Sequence, residues 1–311
     1  MLKILLTGSS GTIGTRLFET LIHLGYDVIG VDRKENIWNK SLNKKTLKLN
    51  LLSQANLVKL PANFDLIIHI AANARVYDLV KNPELALENM VTTFNVLDFA
   101  RKSKVNKIIF SSSREVYGNS FDEILIAEDQ ARIEHCESPY SASKVSAEAL
   151  IHAYEKSFGL SHVILRFSNV YGMYDDSDRV IPLWIRQALK NENLLIYGGS
   201  KVLDFTYIDD AVNGLVKTIE RFDKIKSETF NIASNGKGKA LIYVANKIKE
   251  LLKSESKIIV KENRPGEVYK FQADISKAKK LLDYEPKVGL EEGLVKTVRW
   301  YRQFEGGLII E

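Results

Sequence analysis

Short runs of aliphatic and β-branched residues alternate with longer amphipathic segments through the first half of the chain. This pattern predicts strands at 2–7, 26–32, 46–49, 64–70, 106–112 and 162–167. Helices are expected between them, including 12–24, 83–102 and 139–157. Runs such as Leu66-Ile67-Ile68 and Ile108-Ile109-Phe110 are apolar at consecutive positions, which suits strands covered on both faces. The alternation implies parallel βαβ units, an α/β fold with a doubly wound parallel sheet. Past about residue 171 the pattern is irregular, with turns expected at Gly198-Gly199, Gly236-Lys237-Gly238 and Pro265-Gly266. The segment 205–221 reads as a return to the first domain. The expected division is therefore 1–171 plus 205–221 as a dinucleotide-binding domain, with 172–204 plus 222–311 as a smaller, mixed C-terminal substrate-binding lobe.

Composition narrows the class. The 311 residues carry 44 Lys plus Arg against 39 Asp plus Glu, a net charge of +5 that is too weak to indicate nucleic acid or an anionic membrane. The single cysteine, Cys136, cannot form an internal disulfide. His23, His69, His135, His152 and His162 show no metal-ligand spacing with one another or with Cys136. No apolar run approaches the ~18 residues of a membrane helix, and the first strand runs straight into a glycine turn, leaving no room for a signal peptide. The expectation is a cytoplasmic enzyme without a metal, binding neither nucleic acid nor membrane.

The first strand is followed by Thr7-Gly8-Ser9-Ser10-Gly11-Thr12-Ile13-Gly14, which opens the first helix. In such a Rossmann-type loop Gly8 permits the tight turn, Gly11 lets the backbone approach a pyrophosphate, and Gly14 lets helix and strand pack closely. The phosphates then sit at the positive end of the helix, so Ser10, Thr12 and Ile13 are expected to line the cofactor with the three glycines. Asp32 ends the second strand 18 residues past Gly14, where a carboxylate binds ribose and favours NAD. Arg33 follows and could accommodate a 2′-phosphate, leaving NADP open.

Tyr140-Ser141-Ala142-Ser143-Lys144 opens a helix behind Pro139. Positions i and i+4 share a helix face, so a phenol and an ammonium can converge there. A neighbouring cation, with the positive nicotinamide ring, favours phenolate, which makes Tyr140 an acid/base for a sugar or alcohol hydroxyl while hydride leaves the carbon for NAD⁺. Ser111-Ser112-Ser113 ends the strand at 106–112, where α/β sheets place their ligands. Glu115 reads as a structural partner, Cys136 as an unremarkable thiol, His69 as a core histidine, and Trp184 and Trp300 as parts of helical apolar faces. Trp38 has no assigned role.

On these residues the chain resembles the extended short-chain dehydrogenase/reductases, specifically the nucleotide-sugar epimerases and dehydratases. The resemblance runs through Ala71-Ala72, Phe110 to Gly118 (F-S-S-S-R-E-V-Y-G) and Ser138 to Lys144 (S-P-Y-S-A-S-K). It continues through Leu165 to Gly172 (L-R-F-S-N-V-Y-G), Asp204 to Asp210 (D-F-T-Y-I-D-D) and Arg264-Pro265-Gly266-Glu267. It implies Tyr140 as catalytic acid/base, Lys144 as its partner on the nicotinamide ribose, and Ser113 as the catalytic serine. It further implies Asn50, Leu51, Ala71 and Ala72 beside the cofactor, Asn169 at the sugar-nucleotide and Arg264 at its pyrophosphate. Asn50 stands where the family commonly has an aspartate, and Leu203 where it usually has a phosphate-binding arginine. In an extended 201–205, Lys201 lies on the same side as residue 203 and partly replaces that charge. Related enzymes pair the helices at 83–102 and 139–157 across a dimer axis; the broad apolar faces here lead to the expectation of a homodimer, the alternative being burial within the monomer.

Dehydratases of this family typically carry Asp-Glu after the catalytic Ser/Thr; here the pair is Arg114-Glu115. Arginine cannot act as a general acid at neutral pH. The expected reaction is therefore NAD-dependent C4 epimerisation of a UDP- or dTDP-linked hexose. Dehydration or decarboxylation, reduction of a keto-sugar, and a non-catalytic NAD-binding regulator are the alternatives. Arg114 either recognises an anionic group such as a uronate carboxylate or is turned outward or paired within the fold.

Overall fold

The computed structural model describes residues 2–119, 125–234 and 238–305. The chain begins β1 (Lys3–Thr7), α1 (Thr12–His23), β2 (Asp27–Asp32), β3 (Thr46–Lys48), α2 (Gln54–Leu57) and β4 (Leu66–His69). It continues with α3 (Val76–Lys81), α4 (Glu84–Lys102), β5 (Lys107–Ser113), α5 (Pro139–Phe158), β6 (Ser161–Phe167) and β7 (Asn169–Tyr171). Next come α6 (Val180–Leu189), β8 (Leu194–Tyr197), β9 (Val202–Leu203), β10 (Phe205–Tyr207), α7 (Ile208–Arg221) and β11 (Glu228–Ile232). The last elements are β12 (Lys239–Ala240), α8 (Leu241–Leu252), β13 (Ile258–Lys261), β14 (Lys270–Phe271), α9 (Ser276–Leu282) and α10 (Leu290–Glu305).

Seven strands form one parallel sheet in the order β11-β6-β5-β4-β1-β2-β3. Successive strand side chains point to opposite faces, and the consecutive apolar residues divide accordingly. Ile4 and Leu6 join the core under α1 and α7, whereas Leu5 joins the one under α4 and α5. Val163 and Leu165 part from Ile164 in the same way. This two-sided covering is why the strands read as continuous apolar runs. Strand order reverses between β1 and β4, so their carboxyl ends diverge and open a crevice there.

The smaller lobe is built from the parallel pair β8–β13, the three strands β12-β9-β14, and helices α6, α8 and α10. Its buried residues Trp184, Ile196, Val244 and Leu294 belong to the same apolar cluster as Ile4 and Leu6, so the lobe shares the α1/α7 core. Trp38 is absorbed here too. It contacts Trp300 and Phe304 at ring-centroid distances of 5.5 and 5.0 Å, tying the segment after β2 to α10.

The structure corrects the expected boundary at 222. Strand β11 is hydrogen-bonded to β6 as the seventh strand of the large sheet. Asn231 obscures it in the sequence, because a polar residue interrupts a short run. That amide is buried and satisfied: it accepts from the Tyr117 hydroxyl at 2.7 Å and donates to the carbonyls of Ile126 and Asp274 at 3.0 Å. In 205–221, α7 packs on α1, joined by Arg16 and Asp209 at 2.6 Å, while β10 pairs with β7. The expected turn at Gly236-Lys237 lies outside the described residues. Among the described residues no helix is long and apolar enough to cross a membrane.

Candidate active site

At the crevice Gly8 leaves β1 with φ +72°, and its N–H donates to Val31 O at 2.8 Å. A Cβ at Gly14 would lie 2.0 Å from the Gly8 carbonyl oxygen, which fixes how closely α1 follows the turn. Asp32 closes the loop: one carboxylate oxygen accepts from Ser10 N–H and the other from Lys34 N–H, each at 3.0 Å. Across the switch point, Thr7 Oγ1 and His69 Nδ1 are 2.7 Å apart, while His69 Nε2 meets Thr93 at 3.2 Å. Burial and the Lys144 cation bring His69 down to about 3, so it is a neutral core histidine. Arg33 is turned across the crevice, donating to Asn73 Oδ1 at 3.1 Å with Glu88 at 3.8 Å. Asn50 Oδ1 accepts from Leu52 N–H at 3.0 Å.

Helix α5 starts on a reciprocal cap. Ser138 Oγ accepts from Ser141 N–H at 3.2 Å, and Ser141 Oγ accepts from Ser138 N–H at 3.1 Å, with Pro139 in the first turn. The cap sets Tyr140, Lys144 and Glu148 on one face, each toward a different serine of β5. Tyr140 is set toward Ser113, the Lys144 ammonium donates to Ser111 O at 2.7 Å, and Glu148 accepts from Ser112 Oγ at 2.5 Å. Arg166 of β6 grips Glu148 through both carboxylate oxygens, at 3.0 and 2.7 Å. Glu148 and Arg166 thus hold this helix face from behind.

Burial dominates the titration of the pair. It pushes the Tyr140 phenol above its ordinary value; the nearby Ser113 hydroxyl and the Arg179 cation oppose this. It brings the Lys144 ammonium down to about 8 against the pull of Glu148. The expected stabilisation of phenolate by lysine is therefore outweighed among this chain's own groups. The Lys144 nitrogen lies 5.9 Å from the Tyr140 ring centre and is committed to a carbonyl.

Beyond Ser113, Arg114 is buried and paired. Its guanidinium lies 2.7 Å from Glu115 and donates from Nε to Asn169 Oδ1 at 3.2 Å, while its Nη1 has no hydrogen-bond partner among the described residues. Arg114 and Glu115 are thus paired with each other within the fold, with one guanidinium nitrogen left over at the cleft. Asn169 donates in turn to Asp204 O at 2.7 Å. Lys201 and Leu203 are both buried with Val202 exposed between them, the alternation that puts 201 and 203 on one side. The Lys201 ammonium pairs with Glu267, whose other oxygen faces Arg264 at 4.0 Å. Arg264 is held between the rings of Tyr77 and Tyr197, at 4.5 and 3.8 Å from their centres.

One cleft of about 1060 Å³ is lined by every site residue that the sequence singled out. Gly8, Ser10, Gly11, Thr12, Ile13, Gly14, Asp32, Asn50, Leu51, Ala71 and Ala72 line one end. Tyr140, Lys144 and Ser113 stand midway, with Arg114, Asn169, Lys201 and Arg264 toward the smaller lobe. Sequence reasoning missed Arg179, the tyrosine pair around Arg264, and Glu148. Only Glu148 left a signal, continuing the i, i+4 stripe of Tyr140 and Lys144. Cys136 is half-buried, its thiol pushed up by burial and lowered by a hydrogen bond to Ser141.

The profile of the NAD dependent epimerase/dehydratase family matches residues 4–233. The chain is 32% identical over 308 residues to a putative UDP-glucose 4-epimerase of Methanocaldococcus jannaschii, covering 96% of this chain and 98% of that one. Its fold is similar to the crystal structure of a UDP-glucose 4-epimerase with UDP-glucose from Thermotoga maritima, with TM-score 0.91, 30% identity, and 98% and 100% of the two chains covered. It is also similar to a UDP-glucuronic acid 4-epimerase from Bacillus cereus in complex with UDP-glucuronic acid and NAD, with TM-score 0.89, 30% identity and coverage of 97% and 100%. Match and geometry agree: the chain belongs to the NAD dependent epimerase/dehydratase family, whose members interconvert nucleotide-sugars.

Proposed function

We propose that this protein inverts C4 of a UDP- or dTDP-linked hexose through a transient 4-keto sugar, using NAD. The observation that carries the reading is the convergence of Tyr140, Ser113 and Lys144 at the carboxyl edge of the sheet. Beside them Arg114, a permanent cation, stands where an eliminating enzyme keeps its acid.

The glycine turn, the Asp32 carboxylate and the length of the cleft fit a dinucleotide, with Asn50, Leu51, Ala71 and Ala72 along its course. NAD held there would supply a reversible hydride acceptor, taking hydride from C4 and giving it back. Ser113 hydrogen-bonds the C4 oxygen, and Tyr140 removes its proton as the carbinol becomes a ketone. Lys144, close to neutrality at about 8, orients the ribose and adds positive charge near the phenol when protonated. Once the ketone has turned over and regained the hydride at C4 on its opposite face, Tyr140 returns the proton to the C4 oxygen, so no net oxidation remains. Lys201 and Arg264, brought to the two oxygens of Glu267, receive the diphosphate, and Asn169 contacts the sugar-nucleotide. Asp32 directs the choice to NAD, since Arg33 is already engaged by Asn73. A homodimer is proposed on the exposed Leu87 and Phe94 of α4 and the neighbouring Ala149 and Ala153 of α5.

Decarboxylation of a nucleotide-linked hexuronate is favoured by one observation, the partnerless Arg114 Nη1 at the cleft. A 4-keto hexuronate is a β-keto acid and can lose carbon dioxide. Incubation with UDP-, dTDP-, GDP- and CDP-sugars, UDP-glucuronate included, followed by proton NMR, separates the readings. Inversion at C4 with no mass loss is expected; loss of water or carbon dioxide overturns epimerisation. Tight NAD binding with no turnover overturns both enzymatic readings.

A further inference from the structure

Far from the cleft, helix α5 ends at Gly159, whose φ of +71° turns the chain directly into β6. The turn brings His162, the second residue of β6, beneath residues 152–155 of the helix just left. His152 and Glu155 are three apart and share a helix face. The His152 and His162 rings stand edge to face with centres 4.7 Å apart, and the Glu155 carboxylate is 3.6 Å from His162 Nδ1. One ligand atom from each residue lies within 4.8 Å of the others.

His162 is fully buried, and neither ring nitrogen has a hydrogen-bond partner among the described residues. A buried polar ring in that condition calls for a ligand. Ser227 donates its hydroxyl to Glu155 Oε1, leaving Oε2 for the cluster, the outer hydrogen bond that orients a metal-binding carboxylate.

We propose that His152, Glu155 and His162 bind a divalent transition ion of the zinc class, with water completing the site. Two imidazole nitrogens and one carboxylate oxygen suit zinc and its neighbours, whereas calcium and magnesium favour all-oxygen sets. A tetrahedral set at ~2.0–2.1 Å spaces its donors by roughly 3.3 Å. The side chains must therefore draw in by about an ångström, which the exposed His152 and half-buried Glu155 are free to do. His152 lies twelve residues, ~18 Å of helix rise, from Tyr140, so this site is separate from the catalytic one.

Chelator-treated full-length protein is titrated with Zn²⁺ by calorimetry, and with Co²⁺ by visible absorption. One ion per chain, a rise in melting temperature and a tetrahedral cobalt spectrum are expected. His152→Asn and Glu155→Gln, at positions with room to change, should weaken binding at least ~10-fold while leaving NAD binding intact. Absence of stoichiometric binding, or equal affinity in wild type and His152→Asn, overturns the proposal. His162→Asn is informative only alongside them, because a buried substitution can unfold the chain; a folded His162→Asn protein that binds Zn²⁺ as wild type does also overturns it.

Discussion

Replacing Lys144 by methionine separates stability from function at the centre of the cleft. Burial lowers this ammonium from an ordinary 10.5 to about 8, so the folded chain holds the proton less tightly than the unfolded chain does. At ~1.4 kcal/mol per tenfold change in proton affinity, the charged lysine costs the fold ~3 kcal/mol at neutral pH. Methionine removes that cost but orphans the Ser111 carbonyl, which lysine reaches at 2.7 Å, at a penalty of ~1–3 kcal/mol. The net change near pH 7 is therefore small, and the pH dependence carries the test. Between about pH 8 and pH 10.5 the unfolded state binds the extra proton, so wild-type stability gains with rising pH while the variant lacks this gain. The lysine penalty should shrink from ~3 kcal/mol at pH 7 to ~1 kcal/mol at pH 10. Urea unfolding of both proteins, followed by tryptophan fluorescence across this range, reads the difference directly. Curves that run parallel would show that the ammonium is not held against its solvation, and the account of the pair would fail. Turnover should be lost in the variant at every pH.

Three further outcomes are expected. Gly14→Ala places a methyl 2.0 Å from the Gly8 carbonyl oxygen, so α1 must shift; NAD affinity should fall at least ~10-fold with ~1–3 kcal/mol of stability, and unchanged calorimetric affinity would remove the close-approach argument. Arg166→Met strands the buried Glu148 carboxylate and should cost ~3–5 kcal/mol in urea melts, whereas Glu148→Met/Arg166→Met should recover most of it; a double variant no better than the single would mean that charge is not the cause. Arg264→Lys loses the planar stack between Tyr77 and Tyr197 and should raise KM for the nucleotide-sugar ~10-fold with little change in kcat, an effect absent if the arginine only braces the lobes.

The large sheet was legible because both determinants were local. Consecutive apolar residues marked strands covered twice, and a glycine turn after the first of them marked the switch point. Boundaries at 107–113, 139–158 and 161–167 lie within a residue of the expected ones. The edge strand β11 was not legible. Its buried Asn231 is satisfied by Tyr117, Ile126 and Asp274, all remote in sequence, and no local pattern encodes such partners.

The same distinction explains the site. Tyr140, Lys144 and Ser113 stand at spacings set by one helix turn and one strand end, so their convergence can be read in order along the chain. Arg179 and the rings clasping Arg264 come from elements far apart in the chain, Tyr77 on α3 and Tyr197 on β8, and only the folded chain brings them together. The direction of titration also escapes spacing. A lysine four residues from a tyrosine predicts a lowered phenol, yet burial acts on both groups, raising the phenol and lowering the ammonium together. Their proton affinities are thereby driven further apart than in water. On the proposed function, positive charge delivered beside the phenol, by a bound nicotinamide and by the Arg179 cation, does the activating, because Glu115 offsets Arg114 there. Substituting Arg179 by methionine in the NAD-loaded enzyme should accordingly shift the rising limb of the kcat–pH profile upward, while Lys144→Met abolishes turnover outright. An unmoved limb would refute a part for Arg179 and assign the activation to the nicotinamide.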